Sequence, residues 1–131
     1  MHDAEAFQYA LLRVVPDIER GEQLNAGVVL YARRHGFLQA RAALDVHRLM
    51  AIAPEADAEG LTRQLDGLVR VADGDPQAGP IASMPQSERF AWLVAPASTV
   101  IQPSPVHTGL CEDPQSALDR LFTRLVLAKR D

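Results

Sequence analysis

Arg20-Gly21-Glu22-Gln23-Leu24-Asn25-Ala26-Gly27-Val28-Val29-Leu30-Tyr31 places a charged, glycine-containing turn directly before an apolar run. Upstream lies a second apolar run, Phe7–Val15 (FQYALLRVV), and downstream, past Arg33, Arg34, His35 and Gly36, a third, Phe37–Ala43 (FLQARAA). In an extended Phe7–Val15, the residues Phe7, Tyr9, Leu11 and Val15 share one face and Ala10, Leu12 and Val14 the other. The run therefore reads as a strand covered on both sides, interrupted only by Arg13. Pro16 lacks an N–H donor and closes it. Asn25–Arg33 reads as the second strand and Phe37–Ala43 as the third, with Gly36 offering a positive φ for a tight turn. Three consecutive strands with short links pair antiparallel, because parallel neighbours need a long crossover.

Beyond the third strand the period changes. Asp45 is a candidate N-cap for a short helix carrying Val46, Leu49, Met50 and Ile52 and stopped by Pro54. Pro54–Asp73 reads as a longer helix with Leu61, Leu65, Leu68, Val69 and Ala72 at helical spacing. Gly60 and Gly67 each weaken it by ~1 kcal/mol relative to alanine, so packing has to compensate. Gly74–Pro85 holds too many glycines and prolines for regular structure and is either a mobile flap or an ordered irregular crossover. Ser87–Ala95 reads as a further short helix. Thr99–Gln102 and Val106–Leu110 read as short strands that Pro103 and Pro105 confine to a sheet edge or bent hairpin. Asp113 then caps a last helix with Pro114 in its first turn and Leu118, Leu121, Phe122, Leu125 and Val126 in one stripe. Arg124, Lys129 and Arg130 fall where the helix dipole favours cations. Strands first and helices after indicate α+β: an antiparallel sheet of three meander strands plus one or two short later strands, with three to four helices packed mainly on one face.

The 131 residues fit one domain, spanning 1–131, with enough apolar content (47%) to bury a core unaided. A net charge of −4 argues against wholesale wrapping of nucleic acid. The single cysteine, Cys111, permits no internal disulfide and fits a reducing cytoplasm. The acidic start Met1-His2-Asp3-Ala4-Glu5 has no basic region leading into an apolar core, so no signal peptide is expected. No apolar run approaches the ~20 residues that span a bilayer. The expected location is the cytoplasm.

Chemistry-bearing residues concentrate in the turn. Arg20 offers a guanidinium fork for a phosphate or carboxylate, with Glu22 to orient it or act as a base, Asn25 to bond the ligand, and Arg13 just upstream. Against this stands a structural reading: Arg20 pairs with Glu22, Asn25 bonds the turn's own amides, and Gly27 accommodates a bulge or a crossing side chain. His107, beside Thr108 and Gly109, is a further candidate ligand contact or a sheet-edge histidine. His107 and Cys111 would share a strand face but stand too far apart for a nucleophilic pair. His2, His35, His47 and His107 are scattered without zinc-site spacing, and no phosphate loop, dinucleotide fingerprint or nucleophile elbow is present, so no metal or cofactor is expected. Trp92, with Phe90, is a core anchor or part of an apolar patch for a partner. Arg33, Arg34 and His35 form a basic turn, a solvated hairpin tip by default.

The segments Tyr9-Ala10-Leu11-Leu12-Arg13-Val14-Val15-Pro16, Arg20-Gly21-Glu22 with Asn25-x-Gly27-Val28, and the closing Asp113-Pro114 helix with its Leu-Phe-x-x-Leu-Val pattern resemble the bacterial domain-of-unknown-function family DUF3037. The resemblance covers Tyr9 to Val126 and brings no assigned activity. It implies a partner or regulator role beside a HipA-like kinase domain, in a toxin–antitoxin or defence setting. Residues and resemblance together leave three functions expected to compete. One is a non-enzymatic protein-interaction module. Another is a binder of, or enzyme on, a phosphate ligand, nucleotide or nucleic acid, with Arg13, Arg20, Glu22, Asn25 and His107 converging on one pocket. The third is a structural dimerisation domain using an edge strand or the last helix.

Overall fold

The computed structural model describes residues 4–127. His2, Lys129 and Arg130 lie outside them. The described residues form a five-stranded antiparallel sheet and four α-helices. The meander is β1 (Glu5–Val14), β2 (Leu24–Ala32) and β3 (Phe37–Ala42), with an exposed 3-10 turn at Arg33–His35 and Gly36 left-handed at φ 59°. The order is β3-β2-β1, and the open side of β1 is taken by β4 (Ile101–Pro103) and β5 (His107–Cys111).

β4 and β5 are one edge strand broken by a bulge. Pro103 sits opposite Leu12 and His107 opposite Tyr9, so between these pairs three edge residues, Ser104 to Val106, face two on β1, Ala10 and Leu11. The bulge removes a backbone acceptor for the Leu11 amide. Ser104, 3% exposed, replaces it: its Oγ accepts the Leu11 N–H at 2.8 Å and donates to the Pro105 carbonyl at 2.8 Å. The prolines thus sit at a sheet edge, as the sequence leads one to expect. A second bulge lies in β2, where Leu12 pairs with Gly27 but Arg13 with Asn25, leaving Ala26 as the extra residue. Leu12 also crosses Gly27, where a Cβ would meet the Arg41 carbonyl at 3.0 Å and Leu12 Cδ1 at 3.2 Å. Of the two expected reasons for glycine at 27, the crossing side chain holds, while the bulge's extra residue is the neighbouring Ala26.

Both faces of β1 and β2 are apolar, so both are covered. On one face Phe7, Leu11, Val28 and Leu30 pack under α4 (Pro114–Leu125) through Leu118 and Phe122. On the other face lie α1 (Val46–Ile52), α2 (Ala58–Asp73) and α3 (Gln86–Leu93). There Leu12, Val14 and Leu24 meet Leu49, Leu61 and Leu65, while Val29, Tyr31 and Leu38 meet Val71, Phe90 and Leu93. Three helices therefore share one face and α4 alone covers the other. Arg41 on β3 fastens α4 from the side, pairing with Asp119 at 3.0 Å and lying 4.2 Å over the Phe122 ring.

Pro54 does not open the longer helix. Asp57 does, its Oδ1 accepting from the Gly60 N–H at 3.0 Å, so α2 starts at Ala58. The stretch between Gly74 and Pro85 is an irregular crossover built from 3-10 turns at Pro76–Ala78 and Pro80–Ser83. Arg89 of α3 ties it down, donating to the Met84 carbonyl at 2.7 Å and to the Ala72 carbonyl near the end of α2 at 3.2 Å. Among the described residues no helix is long and apolar enough to cross a membrane.

Candidate functional site

The link from β1 to β2 is shaped by its own short polar bonds. Asp17 accepts the Glu19 N–H on its carboxylate at 3.0 Å and the Gly21 N–H on its carbonyl at 3.1 Å, and Gly21 takes φ +73°. Arg20 Nε then reaches Glu22 Oε1 at 2.7 Å, with both side chains well exposed. The bond to Glu22, and next its charge, raise the Arg20 pKa above its usual value. Arg20 is thus permanently charged and already partnered.

Beside this link lies a groove of ≈ 880 Å³ between Val15–Arg20, the α1–α2 connection and Ser98–Val100. Its lining carries four carboxylates, Asp17, Glu19, Glu55 and Asp57, against one cation, Arg20, which Glu22 engages. The α2 N-terminus opens towards it, but Asp57 occupies the free amide there and Glu59 adds a charge in the first turn. An anion would enter against this field.

The five candidate ligand residues do not converge. Asn25 donates Nδ2–H to the Leu125 carbonyl at 3.0 Å, fastening the end of α4 instead of a ligand or the turn's own amides. Arg13 is its cross-strand partner on the α4 face, with its Nε buried and unpartnered among the described residues. His107 pairs with Tyr9, and its ring lies 5.3 Å from the Tyr9 ring, which packs against the α4 cluster. Tyr9 and Val14 are about 17 Å apart at strand rise, and Arg20 lies further on, at a groove lined by α1 and α2 residues. The His107 ring and the Arg20 groove consequently belong to opposite faces and opposite ends of β1. Cys111, part-buried against the α4 cluster, has its thiol pKa raised, first by burial and then by the Asp113 carboxylate, which leaves it a poor nucleophile. Among the described residues no group of three or more His, Cys, Asp or Glu is placed to hold a metal ion.

The aromatic pair of α3 divides. Phe90 is buried, its ring 5.2 Å from Tyr31, whereas Trp92 is 46% exposed. Trp92 lines a second groove of ≈ 560 Å³ with Leu68, Val71, Leu93, Ile101 and Pro103. Gln64 and Thr99 line both grooves, which therefore lie side by side along α2. Sequence reasoning reached Trp92 but not this groove, since its second wall, residues 95–103, is remote in sequence from α2. The last helix offers no free apolar stripe for dimerisation, because Leu118 and Phe122 are spent on the sheet. The β5 edge stays open, with Leu110 69% exposed.

Comparison with curated proteins and with solved structures returned no match. A family model described as "Protein of unknown function (DUF3037)" matches residues 9–126, from the middle of β1 to the end of α4. That span takes in all the elements that build the grooves, and the chain belongs to the DUF3037 family.

Proposed function

We propose that this protein is a protein-interaction module of the bacterial cytoplasm and performs no catalysis of its own. The observation that carries the reading is the half-exposed Trp92 on the wall of an apolar groove that adjoins an acidic one. A large aromatic side chain presented beside apolar surface is the usual anchor of a protein contact. The phosphate-ligand reading loses support because Arg20 is paired, its groove is acidic and the five candidates are dispersed. The family resemblance makes a HipA-like kinase domain the first partner to test. The test is to tag the wild-type chain and the Trp92→Glu variant and purify both from the native host at low and high salt. A stoichiometric second chain is expected with the wild type and not with the variant. Recovery of the tagged chain alone under every condition would sink the reading.

A further inference from the structure

Gly67 has no role inside the fold. A Cβ built there meets nothing within 4 Å, unlike Gly27 or Gly109, where a neighbour occupies the space. It is also in the middle of α2 with a helical φ, so no turn requires it. Glycine in a helix interior lowers stability relative to alanine, and nothing in the packing offsets that here. Gly67 does, however, line the Trp92 groove, where its missing side chain leaves the helix backbone bare. Leu61, Gln64, Leu68 and Val71 continue the same face of α2 at helical spacing, from the acidic groove to the apolar one, over about 15 Å. Ile18 and Val100, both exposed, add apolar surface to the acidic end.

From this, and resting on the interaction reading above, we infer that the α2 groove seats one short segment of a partner protein. A bulky apolar side chain of that segment packs against Gly67 and Trp92, and Lys or Arg side chains a few residues away meet Glu19 and Glu55. The length accommodates about five residues of extended chain. Charge complementarity selects a basic segment: among the groove carboxylates, Glu19 and Glu55 make no side-chain hydrogen bond among the described residues, so both are available to a cation. The apolar end supplies the anchor, and the acidic end supplies selection and a salt-dependent encounter rate.

The test uses the full chain as bait for a displayed library of random twelve-residue peptides, followed by fluorescence anisotropy with the best binder made synthetically. Enriched peptides are expected to combine a Leu, Phe or Trp with Lys or Arg. Gly67→Leu is expected to abolish binding while leaving Tm unchanged or raised, since it fills the groove with a better helix former. Glu19→Lys with Glu55→Lys is expected to weaken binding at least about tenfold at low salt, with the gap narrowing at high salt. Enriched peptides without basic residues, or binding indifferent to the charge reversal, would overturn the assigned chemistry. Binding retained by a folded Gly67→Leu chain would overturn the assigned seat. Failure of the library to enrich any peptide would overturn the proposal itself, while a partner captured by the wild type and lost with Trp92→Glu would keep the interaction reading standing.

Discussion

Replacing Ser104 by alanine isolates the contribution of one hydroxyl to the seam between β1 and its edge strand. Ser104 Oγ is the acceptor for the Leu11 N–H, and both residues are buried. The bulge between Pro103 and His107 leaves no carbonyl in position to take over. The variant therefore strands a buried amide, which costs about 1–3 kcal/mol. The second bond, to the Pro105 carbonyl, adds little, because Pro105 is exposed and its carbonyl rehydrates. A net loss of about 2 kcal/mol follows, equivalent to a Tm lower by roughly 6–10 °C for a domain of this size. Urea unfolding followed by far-ultraviolet circular dichroism gives the free energy, with an unchanged m-value showing that the native state stays compact. Hydrogen exchange at the Leu11 amide gives the location, and its protection should fall more than that of its neighbours. Ser116→Ala is the control, because that hydroxyl donates to Asp113 at the surface; its removal should cost under about 1 kcal/mol. A Ser104→Ala loss below about 0.5 kcal/mol would refute the claim that the bulge depends on this hydroxyl.

Other perturbations probe separate parts of the fold. Gly109→Ala places a Cβ 2.5 Å from Phe7 Cζ, and that ring is 3% exposed, so calorimetry should show a loss of about 1–3 kcal/mol as the ring is displaced. Asn25→Ala removes the bond to the Leu125 carbonyl and should cost about 0.5–1.5 kcal/mol. Its signature is faster amide exchange in the last turn of α4 with β2 unchanged. Burial first, and then the Asp75 charge, raise the Asp73 carboxyl pKa, with Arg89 opposing. A raised carboxyl pKa penalises the folded state above the unfolded value, so Asp73→Asn should be more stable than the wild type at pH 7. That advantage should vanish as the pH falls below about 4, and an advantage independent of pH would refute the assignment.

The parts legible from sequence are those whose signals are local. The two-sided apolar pattern of Phe7–Val15, the stop at Pro16 and the Asp113-Pro114 cap each sit within a few residues of what they specify, and the meander and α4 are found where they indicate. Pro54 misplaces the start of α2, because the residue that opens it is Asp57, three positions later, whose carboxylate satisfies a free amide. Register was not legible. That residues 101–111 form a single bulged edge depends on which β1 residues they meet, about 90 residues earlier in the chain. The dispersal of the candidate site residues has the same origin. Asn25 carries every mark of a turn residue, yet its partner Leu125 is 100 positions away. Gly67 is visible in sequence as a weak point of a helix, but only the wall supplied by residues 95–103 shows what that weakness makes room for.

The place of β1 in the sheet bears on how the chain is made. One of its edges is satisfied by β2, which follows almost at once, while the other waits for residues 101–111. During synthesis the completed meander therefore holds a long, apolar central strand with one row of amides and carbonyls open, and α4 is not yet present to cover its second face. Such a species is competent to pair with another nascent chain. A ribosome stalling before residue 100, or a truncation there, would release a sticky intermediate in place of a smaller domain. Residues 101–125 are what close that edge and cover that face.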